Sequence, residues 1–359
     1  MSRFCDCVLM VSVAAAAGVA GGQTVLPPFD TAYSIRDLGT PEGVPVSFGG
    51  LFIRASEPDS LYIGGAANGV AGALYRVGLV RDVNGLVTGF SGVAERVGDL
   101  PFNDGGITPD PGGLISYGQW PVNRYGQMDP ATGLIVNDID LTPLGVAQSA
   151  SSVRFIPAGM PGAGGMRIVS WSGGQYHRVS YSVGAGGIIS LGDVEQLPES
   201  TIPGGPEGFT YVPTGSPLFT VPTMIVSAFS AGRVDVYDVD GSGDPIISTG
   251  RTMVANLTGA EGAAIDPVTG DFAFSTFGGA DRVIFVSGFV PPPPACGWES
   301  ADCPADSDGD SDTDSDDVVI FFGFWEAAAD CADVNGDGAV DSNDLLYFFG
   351  GWDQGQCRP

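Results

Sequence analysis

Between residues 44 and 290 the chain repeats one local pattern, a short alternating apolar run closed by a Gly, Pro, Asp or Asn turn. The runs Leu51-Phe-Ile53, Met166-Arg-Ile-Val-Ser170, Thr223-Met-Ile-Val-Ser227, Phe272-Ala-Phe274 and Arg282-Val-Ile-Phe-Val286 are of this kind. Alternation sends successive side chains to opposite faces of a strand, and residues 23–290 hold no convincing amphipathic helical stripe. The body therefore reads as all-β. Five longer stretches begin near Val44, Gly92, Ala147, Gly204 and Ala260, a spacing close to the roughly forty to fifty residues of a propeller blade. Glu207-Gly-Phe-Thr-Tyr-Val-Pro213 parallels Glu261-Gly-Ala-Ala-Ile-Asp-Pro267 within two of them. Radial repetition of four-stranded sheets buries strand faces and protects edges. The leading segment 31–38 is expected to supply a closing strand to the last blade or part of a sixth. A pair of β-sandwiches or a β-helix is the alternative.

On these residues the body resembles a β-propeller of the NHL or gluconolactonase-like type. The resemblance implies a divalent ion on the central axis, held by Glu, Asn and Asp side chains. The candidates are Glu42, Glu207 and Glu261, each followed by glycine near an entry strand, with Asn103, Asp104 and Asn256. Repetition of Glu-Gly from blade to blade equally suits a turn device capping the entry strand, and that structural role is the one expected here. A Ser-His-Asp triad would have to use His177, the single histidine, which lies in a strand-like run without a G-x-S-x-G elbow. No H-E-x-x-H, P-loop or dinucleotide fingerprint is present. Tyr117, Trp120, Tyr125, Trp171 and Tyr176 are candidates for a carbohydrate platform, although most propeller aromatics pack between blades.

Residues 296–359 carry a different signal. An aspartate pattern runs from 306 to 317 and again from 333 to 344. At positions 1, 3, 5, 7, 9 and 12 of the second loop stand Asp333, Asn335, Asp337, Ala339, Asp341 and Asp344, the ligand frame of an EF-hand, with position 7 giving its carbonyl. The first loop has Asp306, Asp308, Asp310, Asp312, Asp314 and Asp317 in that frame, but Ser311 where a glycine normally turns the chain. Alternate residues of a tight loop point inward and give a hard cation its oxygens, so two Ca2+ sites are expected, the second the better formed. A solvated acidic tail is the bland alternative. Without metal the aspartates would repel one another, which links folding of this region to binding.

The two loops resemble a dockerin domain, the duplicated calcium-loop-plus-helix module that docks secreted proteins onto cohesin receptors or surface scaffolds, often in polysaccharide breakdown. The resemblance covers 296–359 and implies partner contacts at Ser315, Asp316, Ser342 and Asn343. The post-loop segments lack the basic residues that typical dockerins present to cohesin, which leaves the receptor open. Trp325 and Trp352, each eight residues past position 12, are expected to be equivalent packing residues.

Around these units the chain has the marks of export. Arg3, an apolar run from Val8 through Ala17 and small residues up to Gly22 read as a signal peptide over 1–22, the run being shorter than the roughly 20 residues of a membrane span. Cys296, Cys303, Cys331 and Cys357 all fall in the calcium-loop region and are disulfide candidates in an exported chain, with three connectivities open. Pro291 to Pro294 make a stiff linker over 291–295 between the body, 23–290, and the module. The net charge of −28, without a lysine, argues against nucleic acid and anionic membrane as partners.

The expected fold is mainly β: a propeller of five or six blades, then a small α-helical dockerin-like domain with two calcium loops. The expected role is an exported protein, secreted, periplasmic or attached to the cell surface, that binds and anchors through a protein receptor without chemistry of its own. The alternatives are a metal-dependent lactonase-like or other hydrolase, or a carbohydrate-binding propeller.

Overall fold

In the computed structural model, residues 22–278, 281–291, 305, 307, 315–326, 332–334 and 340–354 are described. Two leading strands, β1 (Thr24–Val25) and β2 (Ser34–Gly39), precede four-stranded antiparallel sheets that follow the chain in order. Blade 1 is β3 (Leu51–Arg54), β4 (Glu57–Gly65), β5 (Ala73–Arg81) and β6 (Val87–Asp99). Blade 2 is β7 (Asn103–Pro109), β8 (Ile115–Gln119), β9 (Arg124–Asp129) and β10 (Leu134–Asp140). Blade 3 is β11 (Ala150–Phe155), β12 (Met166–Ser170), β13 (Tyr176–Val183) and β14 (Ile189–Leu197). Blade 4 is β15 (Pro206–Val212), β16 (Thr223–Ala228), β17 (Arg233–Asp238) and β18 (Arg251–Ala255), and blade 5 begins with β19 (Ala260–Ile265), β20 (Phe272–Thr276) and β21 (Val283–Ser287).

Blade 5 takes its fourth strand from the other end of the body. β2 pairs antiparallel with β21, from Ser34 opposite Ser287 to Gly39 opposite Val283, and so closes the circle with backbone hydrogen bonds. β1 adds a short fifth strand to blade 4 beside β18. The closing-strand reading of 31–38 is thus met, and among the described residues there is no sixth blade. The second repeat is the one misplaced by the sequence: Gly92 lies inside β6, the long outer strand of blade 1, and blade 2 starts at Asn103.

The sheets are amphipathic on neither face, because each is covered by the next blade. Five apolar cores fill the five gaps: Phe52, Leu74, Ile115 and Met128 between blades 1 and 2; Tyr125, Val153 and Ile168 between 2 and 3; Tyr176, Phe209 and Met224 between 3 and 4; Ile225, Val236 and Phe274 between 4 and 5; Leu51, Ile63 and Phe285 between 5 and 1. Each first strand touches the first strand of the next blade, and β19 touches β3, so these five line the axis. Tyr117, Tyr125 and Tyr176 are fully buried in the cores and are removed from the carbohydrate candidates.

The first strands meet so closely that glycine is required. A Cβ on Gly208 would lie 2.3 Å from the Ala263 amide nitrogen, and one on Gly105 would lie 2.7 Å from the Glu207 Cβ across the axis. Serines of the first and second strands satisfy axial carbonyls: Ser227 Oγ donates to Gly262 O at 3.1 Å, Ser151 Oγ to Pro206 O at 2.8 Å, and Ser275 Oγ to Gly49 O.

Helices α1 (Ser315–Glu326) and α2 (Ser342–Gln354) form a second packing unit. Phe321 stacks on Phe348 at 4.1 Å, and Phe321–Trp325 and Phe348–Trp352 repeat one geometry at 6.0 and 6.1 Å. The counterparts differ by 27 in residue number throughout, including the buried pairs Asp317/Asp344 and Ala305/Ala332. Trp325 and Trp352 are therefore equivalent, as their spacing predicts.

Gly208→Ala tests the axial crowding. The added methyl meets backbone atoms, so the expected cost is about 3 kcal/mol, a Tm loss of roughly 6–12 °C; calorimetry showing an unchanged Tm would contradict the close approach.

Candidate metal centre

At the entry end of four of the five first strands stands a polar residue followed by a small one: Asp104-Gly105, Ser151-Ser152, Glu207-Gly208 and Glu261-Gly262. The pairing register of each of these strands breaks at this place, between Asn103 and Ile107, Ala150 and Ser152, Pro206 and Phe209, and Ala260 and Ala263. A bulge re-aims the side chain it carries, and here the repeated bulge turns three acids inward. Oxygens of Asp104, Glu207 and Glu261 lie within 4.8 Å of one another, and the residues are 1 %, 4 % and 1 % exposed.

Three carboxylates cannot all ionise in so small and dry a space. Asp104 Oδ2, Glu207 Oε2 and Glu261 Oε1 have no hydrogen-bond donor. Burial pushes the Asp104 carboxyl up to about 7, against the lowering effect of hydrogen bonds with Glu261, Asn68, Glu207 and the Gly105 amide. Burial, and then the neighbouring charges, hold Glu207 and Glu261 well above the usual carboxylate range. An all-oxygen donor set with unsatisfied lone pairs fits a hard divalent cation, whose charge would replace the retained protons.

Of the sequence candidates, Asp104, Glu207 and Glu261 are thus brought together. Glu42 and Asn256 are exposed on turns and lie outside the cluster. Asn103 is buried but faces blade 1: its Nδ2 donates to Leu100 O at 2.8 Å, and its Oδ1 is directed at Gly49 and Gly64. The Glu-Gly motif is therefore axial rather than a strand cap in blades 4 and 5, and blade 2 provides Asp-Gly in its place. His177 is a strand histidine, as expected; Nε2 accepts from the Ala147 amide at 3.3 Å, and burial lowers its pKa.

Deeper along the axis, Arg154 of β11 crosses to other blades. It donates to Phe209 O at 2.8 Å, Ala263 O at 2.7 Å and Thr108 Oγ1 at 3.2 Å. Burial lowers its pKa to about 10, and among the described residues no carboxylate is within ion-pairing distance of it. Sequence reasoning missed Arg154, since nothing in Val153-Arg154-Phe155 distinguishes it from an outward strand charge.

Above the acids the mouth has a five-fold device. In every blade a residue after the second strand donates its backbone N–H to the carbonyl just before the first strand: Ala67 to Ser47, Trp120 to Phe102, Trp171 to Ser149, Phe229 to Gly205 and Phe277 to Gly259, at 2.8–3.0 Å. Four of the five are aromatic and touch in sequence, edge to face, at 6.2, 6.4 and 6.1 Å between centroids. Blade 1 alone has alanine there. Trp120 and Trp171, proposed as a platform, stand in this half-buried collar. A surface cleft lies elsewhere, lined by Arg178, Glu199, Asp244 and Ile246 on blades 3 and 4.

In the helical unit Asp317 Oδ1 accepts from the Ser307 amide at 2.6 Å, and Asp344 Oδ2 from the Asp341 amide at 2.8 Å. Asp333 is half-buried, and Ser315, Ser342 and Asn343 are exposed. Asp306, Asp308, Asp310, Asp312, Asp314, Asn335, Asp337, Ala339, the side chain of Asp316 and the cysteines Cys296, Cys303, Cys331 and Cys357 lie outside the described residues.

No protein-family model matches the chain, and no curated protein does. Similar solved structures include the PQQ domain of pyranose dehydrogenase from Coprinopsis cinerea, 12 % identical with a TM-score of 0.40 over 74 % of this chain and 97 % of that one. Glutaminyl cyclase from Myxococcus xanthus is 11 % identical, TM-score 0.43, over 71 % and 95 %. A putative gluconolactonase is 13 % identical, TM-score 0.42, over 75 % and 98 %. The body is a five-blade β-propeller.

The raised carboxyls set a pH dependence. In cation-free protein they keep protons that the unfolded chain surrenders above about pH 4, so the native state binds more protons and stability falls as pH rises through about 7. In EDTA, Tm is expected to drop from pH 5 to pH 8, and less steeply in Glu207→Gln; equal slopes for the two proteins would contradict the clustering.

Proposed function

We propose that the propeller is a hydrolase of the lactonase-like class that works with a hard divalent cation on its axis. The observation carrying this reading is the convergence of the Asp104, Glu207 and Glu261 carboxylates with buried, donor-free oxygens. A cation held there would supply Lewis-acid polarisation of a carbonyl and lower the pKa of water. The protein's own contribution is positional. Asp104, Glu207 and Glu261, fixed on three of the packed first strands, would hold the cation, and Trp120, Trp171, Phe229 and Phe277 exclude water from the mouth while offering ring edges and faces to an uncharged substrate. The acidic surface disfavours an anionic one.

A second role is supported by the helical unit. We propose that 296–359 is a dockerin-like module binding two Ca2+ through the two aspartate frames, stapled by its cysteines, and that it attaches the exported propeller to a surface protein through Ser315, Asp316, Ser342 and Asn343. The 27-residue correspondence of Asp317/Asp344, Phe321/Phe348 and Trp325/Trp352 supports a duplicated loop-plus-helix unit. Catalysis by the body and attachment by the tail are compatible in one chain.

Full-length protein loaded with Mn2+ or Ca2+ is expected to hydrolyse members of a panel of neutral lactones, with kcat/KM falling about 100-fold or more in Glu207→Gln and Glu261→Gln. Cation affinity is expected to rise with pH through about 7, because protons compete for the same oxygens. Unchanged turnover in both variants would remove the enzymatic reading. For the tail, amide hydrogen exchange over 315–326 and 342–354 should accelerate when Ca2+ is chelated; protection indifferent to EDTA would remove the calcium loops.

A further inference from the structure

Arg154 is bonded to every strand that carries an axial acid. Its Nε donates to Phe209 O on β15 and its Nη2 to Ala263 O on β19, the strands of Glu207 and Glu261, while Nη1 donates to Thr108 Oγ1 on β7, the strand of Asp104. Phe209 and Ala263 each come two residues after the glutamate of their strand. The guanidinium is therefore held one side-chain layer beneath the carboxyls, roughly 7 Å down the strands. β11, which sends Arg154 across, has Ser151 at the level where the other three strands have their acids. Blade 3 thus places its charge one layer lower and with the opposite sign.

The hydrogen bonds alone do not call for a guanidinium. Elsewhere on the axis serine hydroxyls satisfy the same kind of carbonyl without a charge. A buried cation is costly unless negative charge stands near it, and the partners Arg154 touches are two carbonyls and a hydroxyl, all neutral. With its pKa at about 10 it is nevertheless charged at neutral pH. The three acids one layer up are the buried negative charge that offsets it. Fully ionised, they and the guanidinium sum to −2, which one divalent cation brings to zero; the acids by themselves would match a trivalent one. Resting on the proposed axial cation, we infer that Arg154 is a specificity-determining residue that acts through its charge and makes a three-carboxylate site select a divalent ion.

Ca2+ and Tb3+ have nearly the same radius and differ by one charge, so the ratio of their affinities reads the charge of the site. The test is calorimetry on the full chain, with axial binding defined as the component lost in Glu207→Gln. Arg154→Met and Arg154→Gln, the second of which keeps N–H donors for the carbonyls, are expected to raise the Tb3+/Ca2+ affinity ratio about 10-fold or more, the effect of one unit charge at that separation. Arg154→Lys, which keeps the charge and loses donors, should leave the ratio at the parent value even if Tm falls. A ratio unchanged in the neutral variants, or raised equally by lysine, overturns the inference and leaves the axial site standing. Should neither neutral variant melt cooperatively by itself, Tb3+ is expected to restore the transition where Ca2+ does not; failure with both ions makes Arg154 a strand staple and also overturns it. If the parent has no component that Glu207→Gln removes, the axial cation and this inference fall together.

Discussion

Five first strands converging on one line leave almost no volume at their meeting point, and the rest of the body follows from that crowding. Glycine is needed where Gly105, Gly208 and Gly262 approach neighbouring backbone, and hydroxyls from Ser151, Ser227 and Ser275 satisfy the carbonyls that no ladder reaches. The repeated bulge opens just enough room for one polar side chain per strand. Long acids placed there have nowhere to go except toward each other. Their retained protons are thus a consequence of geometry, and a cation is the natural way to relieve it.

Much of the body was legible because propellers advertise themselves twice, once in the period-two alternation and again in the blade spacing. The strands around Met166, Thr223 and Phe272 fall where alternation puts them, and the 31–38 segment closes the last blade as its apolar positions Ile35 and Leu38 suggest. The misplaced second repeat has a plain cause: β6 is long, rich in Gly, Ser and charge, and exposed along most of its length, so it reads like a turn followed by an entry strand.

The site was half legible. Glu207 and Glu261 share a Glu-Gly motif, and Asp104 repeats it in shortened form, so the repeat marks all three acids of the axial cluster. Glu42 has the same dipeptide but stands on the turn ahead of blade 1, where glycines 49 and 50 occupy the axial level. The collar carries no periodic signal, since its role depends on one backbone hydrogen bond repeated between segments far apart in sequence. Tyr117, Tyr125 and Tyr176 illustrate the converse: an aromatic in a strand says nothing about which face of the blade it lies on until the neighbouring blade is placed.

Arg154 gives the propeller a direction. A propeller axis is geometrically a tube, open in principle from one face to the other. Here a guanidinium with no anionic partner among the described residues is moored to carbonyls of blades 4 and 5 and to the Thr108 hydroxyl. A cation that descends past the collar finds oxygens first and a fixed positive charge next. The axis is therefore not symmetric from end to end: the three acids stand on the aromatic side and the buried guanidinium beyond them.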